Sequence, residues 1–186
     1  MLGTAAQMQD IGIEQAGSPV LAMKCRQLAL PDEATAAQML AHHLDEMLQK
    51  IMYLHTFKNG RGIAAPQLGY NVALALVYGP NGNRITLVNP EIATMIPDNS
   101  TDDQYEGCLS FFNSRGLVRR PRRITVYDML LAGKKRMRTF QNAEARLICH
   151  EVDHLNGMLY TSRMKPDDPL VPAACVPQNS HSWVYS

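Results

Sequence analysis

Ala143-Glu-Ala-Arg-Leu-Ile-Cys-His150-Glu151-Val-Asp-His154-Leu-Asn156 is the stretch on which the reading of this chain turns. Asn142 suits an N-cap and Gly157 a C-cap, so the segment predicts a helix over 143–156. Residues four apart share a helix face, which puts His150 and His154 side by side. Two imidazoles so placed can hold one metal ion, and Glu151 beside them can accept a proton from a water that the metal acidifies. The bland alternative is chance, with both histidines serving as ordinary surface or core residues. The caps on either side favour the helical, metal-binding reading.

A catalytic metal usually takes a third protein ligand. The common peptidase solutions fail here. Six residues after His154, where one peptidase class has its third histidine, stands Tyr160, although Gly157 between them fits. No glutamate follows Glu151, which removes the other common solution. His181 lies in the tail without a supporting pattern. Cys108, in Glu106-Gly-Cys-Leu-Ser110, is the better candidate, since a Cys–His–His set suits a borderline-soft divalent ion. Its alternative is a buried apolar thiol, the commoner fate of a cysteine.

Working outward, 186 residues suit one domain, 1–186, with interior enough for a core. Apolar residues form 46% and charged residues 19%, which excludes a disordered tail. A net charge of +1 gives no argument for binding DNA or a membrane. The cysteines at 25, 108, 149 and 175 are too sparse for a disulfide framework and point to a reducing, cytoplasmic compartment. Residues 1–10 lack a basic segment followed by an apolar run, so no secretory signal is read there.

Residues 1–31, interrupted by Gly3, Gly12, Gly17 and Pro19, read as an irregular arm. From Asp32, a plausible N-cap, apolar residues from Met39 to Met52 recur at helical spacing and predict a helix over 32–55. A loop is expected over 60–69, then a strand over 72–77, a turn at 79–82 and a return strand over 84–88. Residues 96–103 read as a surface loop. Short strands are expected over 106–110, 117–118 and 124–127, and a turn at 132–134. Pro166, Pro169, Pro172 and Pro177 make 166–186 an extended, Pro-rich tail.

Three ordered segments give the chain a resemblance to the peptide deformylases: Gly60-Arg-Gly-Ile-Ala-Ala-Pro-Gln67, Glu106-Gly-Cys-Leu-Ser110 and Cys149-His-Glu-Val-Asp-His-Leu155. The resemblance covers about 32–165. It implies an α+β fold in which small, largely antiparallel sheets surround a central helix bearing both histidines. It implies Cys108, His150 and His154 as metal ligands and Glu151 as general base, then general acid. Gln67 and the backbone N–H of Leu109 would stabilise the oxyanion, and Gly62 would align the substrate backbone. The implied reaction removes the formyl group from the N-terminal formylmethionine of new polypeptides, releasing formate. The implied cofactor is one divalent ion, Fe2+ by family habit, with Zn2+ or Ni2+ as substitutes. Glu106 reads as support for the site, binding Arg115 or Arg120. Asp153 reads as either a brace for a ligand imidazole or a salt-bridge partner. Gln67 has a loop-building alternative through side-chain bonds to backbone.

Arg61 stands where the family usually has an apolar residue, Phe111-Phe112 replaces an apolar–Pro pair, and Cys149 replaces a glutamine. Arg61 and the two phenylalanines flank the expected groove, so they bear on side-chain preference and not on reaction type. Cys149 projects about 100° from its neighbour around a helix, which argues against ligation. Nine of the 18 basic residues fall between Arg115 and Arg138, opposed in that stretch only by Asp128. A solvated face is the ordinary explanation; a transient contact with ribosomal RNA, where deformylases meet nascent chains, is the sharper one. Some family members carry a basic C-terminal docking helix, a mode that cannot be carried over to this Pro-rich tail. Trp183 and Tyr185 read as packing on the body rather than binding a cofactor. Two rivals to the main reading are a related amidohydrolase acting on another N-acyl group and a non-catalytic metal-bound homologue. A peptidase is disfavoured by the missing downstream ligand.

Overall fold

A computed structural model describes residues 4–57, 59–95, 101–176 and 183, and these form three α-helices and nine strands. Helix α1 (Ala5–Asp10) and helix α2 (Ala34–Leu54) precede strands β1 (Arg61–Ala64), β2 (Leu74–Tyr78), β3 (Arg84–Val88) and β4 (Glu91–Met95). Strands β5 (Thr101–Cys108), β6 (Phe111–Pro121), β7 (Arg123–Met129) and β8 (Lys135–Gln141) lead into helix α3 (Asn142–Leu155), and β9 (Val171–Pro172) follows. The strands form three small sheets, β1-β2-β3, β4-β7-β8 and β5-β6-β9, and every strand pair in them is antiparallel. This is the α+β architecture that the resemblance implies. Among the described residues no helix is long and apolar enough to cross a membrane.

Helix α2 buries Ala37, Ala41, Leu44, Leu48 and Ile51, a stripe at helical spacing that packs on β1 and β2. Helix α3 is buried almost all round, as a central helix must be, and its buried set includes Arg146, Glu151, Asp153 and His154. Charged groups at such depth require partners, and the partners they find build the site. The helix stops directly after the second histidine. The N–H groups of Gly157 and Met158 return to the carbonyls of His154 and Asp153, at 3.1 and 2.9 Å. Gly157 supplies the left-handed φ of +73° that this ending requires.

Several local expectations are corrected. The segment before residue 32 is not a bare arm: α1 carries a capping box from Thr4, and Met8, Ile13, Leu21 and Leu28 are buried. One and a half turns of helix are too short to leave a readable period. The cap of α2 is Glu33 rather than Asp32, because the Glu33 carboxylate is drawn to Arg26 and the Ala29 N–H. Asn142 is the first helical residue, with φ of +54°, and Gln141 occupies the cap. The loop over 60–69 begins as β1. Residues 101–103 belong to β5, where cross-strand Arg119 and helix-borne Arg146 pair with Asp103 and Asp102; 96–100 lie outside the described residues. The strands expected over 106–110 and 117–118 are parts of one long ribbon, β5–β6, with 109–110 forming its turn.

Candidate active site

Cys108 ends β5 opposite the histidine face of α3. One donor atom from each of Cys108, His150 and His154 lies within 4.8 Å of the others. His154 Nε2 is 3.1 Å from Cys108 Sγ, and the two imidazoles meet edge to face with centroids 5.1 Å apart. Cys108 and His154 are buried, and a cavity of about 700 Å³ opens beside them, lined in part by Cys108, His150, Glu151 and Gln67. One thiol and two imidazoles converging at the wall of a cavity fit a borderline-soft divalent ion with a side left open. Burial alone would push the Cys108 thiol up, but the charge and hydrogen bonds of His154 and His150 outweigh it and hold the thiol well below its usual range. Cys149, by contrast, is packed in an apolar cluster, and burial pushes its thiol up to about 12.

Glu106 orients the site. His150 Nδ1 lies 3.1 Å from Glu106 Oε2, and assigning the proton to Nδ1 turns Nε2 toward the donor cluster. The same carboxylate accepts two bonds of 3.0 Å from Arg120 and one of 2.6 Å from Arg146. Burial raises the Glu106 pKa, but the adjacent Arg120 charge and the His150 hydrogen bond prevail and keep it well below the carboxylate range. Its partner is Arg120, then, and not Arg115. Asp153 is a salt-bridge partner, held by Arg120 and Arg163 at 2.5 and 2.6 Å.

Glu151 is buried, and its Oε2 has no hydrogen-bond partner among the described residues. Burial pushes its carboxyl up to about 7. A Cβ on Gly62 would run into this carboxylate, so only glycine leaves Glu151 where it stands. Gln67 lies in a 3-10 turn, Ala65–Leu68; its Oε1 accepts the Ala64 N–H at 2.9 Å. Its Nε2 donates to Ser110 Oγ at 3.1 Å and faces Cys108 Sγ at 3.6 Å. Gln67 thus bonds to its own loop and also faces the Cys108 thiol. Leu109 sits in the two-residue turn joining β5 to β6.

The N-terminal segment braces these loops, which no periodicity in the sequence announces. Glu14 N–H donates to Gln67 O and Ala16 N–H to Ser110 O, both at 2.8 Å, while Gln15 Nε2 reaches Leu109 O at 3.3 Å. Arg61 and Arg115 line the cavity. The Arg61 guanidinium lies 4.3 Å from the Tyr78 ring centroid, and Arg115 Nη1 donates to Phe112 O and Ser114 O at 2.7 and 2.8 Å. Phe112 lines the cavity; Phe111 turns away and packs near Tyr160. His181 lies outside the described residues.

The basic stretch is not one open face. Arg119 pairs with Asp103, Arg120 with Glu106 and Asp153, and Arg136 and Arg138 both with Asp128. Arg123, Lys134 and Lys135 remain exposed.

A helix-borne histidine pair facing a strand-borne thiol, with a carboxylate at the cavity between them, is the layout of a mononuclear metal hydrolase. Residues 11–169 match the polypeptide deformylase family. A peptide deformylase of Dictyoglomus thermophilum is 33% identical over 151 residues, 81% of this chain and 90% of that one. The peptide deformylase 2 of Clostridium perfringens is 36% identical over 107 residues, 57% of this chain and 68% of that one. The structure superposes with a TM-score of 0.70 on the actinonin-bound class I type b enzyme of Acinetobacter baumannii, at 29% identity and covering 83% and 97% of the two chains. The Thermotoga maritima peptide deformylase gives 0.70 at 28% identity, with the same coverage. The chain belongs to the peptide deformylase family, a family of metal-dependent hydrolases. Its activity is removal of the formyl group from N-terminal formylmethionine.

Proposed function

We propose that Cys108, His150 and His154 hold one divalent ion and that Glu151 moves the proton in deformylation. The observation that carries this reading is the convergence of the three donors beside a buried carboxylate that lacks a partner of its own. Fe2+ is the proposed ion, with Zn2+ and Ni2+ able to substitute at the same donor set. When bound, such an ion supplies the Lewis acidity that polarises the formyl carbonyl and acidifies the attacking water. Glu151 takes a proton from that water as it adds to the formyl carbon. The Gln67 amide and the Leu109 N–H donate to the carbonyl oxygen as negative charge grows there. Glu151 then returns the proton to the leaving amine, and formate and a free N-terminus result. Gly62 lets the peptide backbone approach, Arg61 and Arg115 flank it, and Glu106 holds His150 in place.

Formyl-Met-Ala-Ser and acetyl-Met-Ala-Ser, offered to anaerobically purified protein, test this reading. Formate release with little acetate release supports it, and preference for the acetyl peptide rejects it. Gln67→Ala lowers kcat by about 10²–10³-fold, the usual cost of one lost oxyanion donor; an unchanged kcat would leave Gln67 a loop residue only. A cytoplasmic location suits a thiol ligand that must stay reduced. Ribosome contact falls to Arg123, Lys134 and Lys135. Replacing all three with alanine lowers ribosome affinity, and unchanged affinity removes the proposal.

A further inference from the structure

The family match ends at residue 169, yet the chain beyond it returns to the cavity. Strand β9 pairs antiparallel with Ser114 and Arg115 of β6, and Pro172, Ala173, Ala174 and Val176 line the cavity. Trp183 lines it too. Its backbone N–H donates to Asn59 Oδ1 at 2.9 Å, and its indole Nε1–H donates to Tyr105 O at 3.0 Å. Both partners are themselves cavity residues. The ring packs against the cluster that contains Leu147, and the Arg146 guanidinium lies 5.5 Å from its centroid.

Leu147 precedes His150 by three residues, so the two are neighbours on one helix face. Leu147 from the helix and Trp183 from the tail thus line the same cavity as the donors Cys108 and His150. With its backbone N–H and its indole N–H both committed, Trp183 is held in orientation as well as in position. With the tail in place the cavity still measures about 700 Å³, so these residues bound it and do not fill it.

We propose that residues 172–176 and Trp183 wall the substrate site and that Trp183 is a specificity-determining residue, limiting the size of the first side chain of the formylated peptide. This rests on the deformylase reading, and the experiments separate the two. Trp183 is the only tryptophan of the chain, so its emission reports on the cavity directly. Met-Ala-Ser, the peptide bound in one of the Acinetobacter baumannii structures, serves as the probe on metal-loaded protein. A saturable emission change that tracks the calorimetric heat is expected. Heat with flat emission overturns the tail proposal alone. No heat, together with no formate from the formyl peptide, overturns the deformylase reading and the proposal with it.

A second measurement compares kcat/KM for formyl-Met-Ala-Ser and formyl-Phe-Ala-Ser. Trp183→Ala lowers the Met-over-Phe ratio by about 10-fold or more, the scale at which an apolar pocket discriminates. Trp183→Phe stays near the parent ratio. An unchanged ratio in Trp183→Ala overturns the proposal. So does an equal rise for both peptides, which would make the tail an inhibitory strap. Should Trp183→Ala fail to fold, the emission titration of the unmodified chain still decides.

Discussion

Glu151→Gln lowers formate release by about 10²–10⁴-fold, the range for a lost general acid–base group. Glutamine keeps the size and the hydrogen-bonding reach of the side chain but can neither take a proton from water nor return one to the amine. Gly62 leaves room for either residue at this point, since the backbone there carries no Cβ to collide with the side chain. Cys108, His150 and His154 are untouched, so metal content stays at the parent level. That pairing makes the prediction sharp. Lost activity with retained metal identifies Glu151 as the proton carrier, and near-parental activity with retained metal removes it from that role. Lost activity with lost metal would instead make Glu151 a support for the ligands.

Glu106→Ala destabilises the fold by about 3–5 kcal/mol, the cost of removing one partner from a buried ion network. At roughly 2–4 °C per kcal/mol for a chain of this size, the melting temperature falls by about 6–20 °C. Glu106 is buried and neutralises Arg120 and Arg146, which are buried as well. Asp153 and Asp102 remain beside the two arginines, but each arginine is left with one carboxylate fewer. His150 also loses the acceptor for its Nδ1 proton, so metal content falls along with stability. Glu106→Gln, which keeps the shape but not the charge, shows the same effects in smaller measure. A melting temperature unchanged in Glu106→Ala would contradict the network's role.

The central helix is legible because Gly157 marks its end and His150 and His154 stand one turn apart. Strands β2 and β3 are legible because short apolar runs flank a Gly-Pro-Asn-Gly turn. Strand β8 is not, since of Lys135–Gln141 only Phe140 is buried and no alternation of apolar residues marks it. The site shows the same division. Cys108, His150, His154 and Glu151 declare themselves by residue type and spacing. The brace from Glu14, Gln15 and Ala16 works mainly through backbone groups, which carry no side-chain signature. Arg146 looks like a surface cation on an amphipathic helix until Glu106 and Asp102 are brought to it from β5. The basic stretch reads as one face only while its carboxylate partners, distant in sequence, stay out of view.

The proposed hydrolysis of N-terminal formyl groups depends on a metal site built by Cys108, His150 and His154. It is tested most directly by measuring metal content and formate release on the same anaerobic preparation, before and after chelation and after Fe2+ is restored. About one ion per chain is expected. Each formate is matched by one free amine, and activity is lost and regained with the metal. Formate release that persists at full rate in metal-free protein, or none from the fully loaded protein, would contradict it.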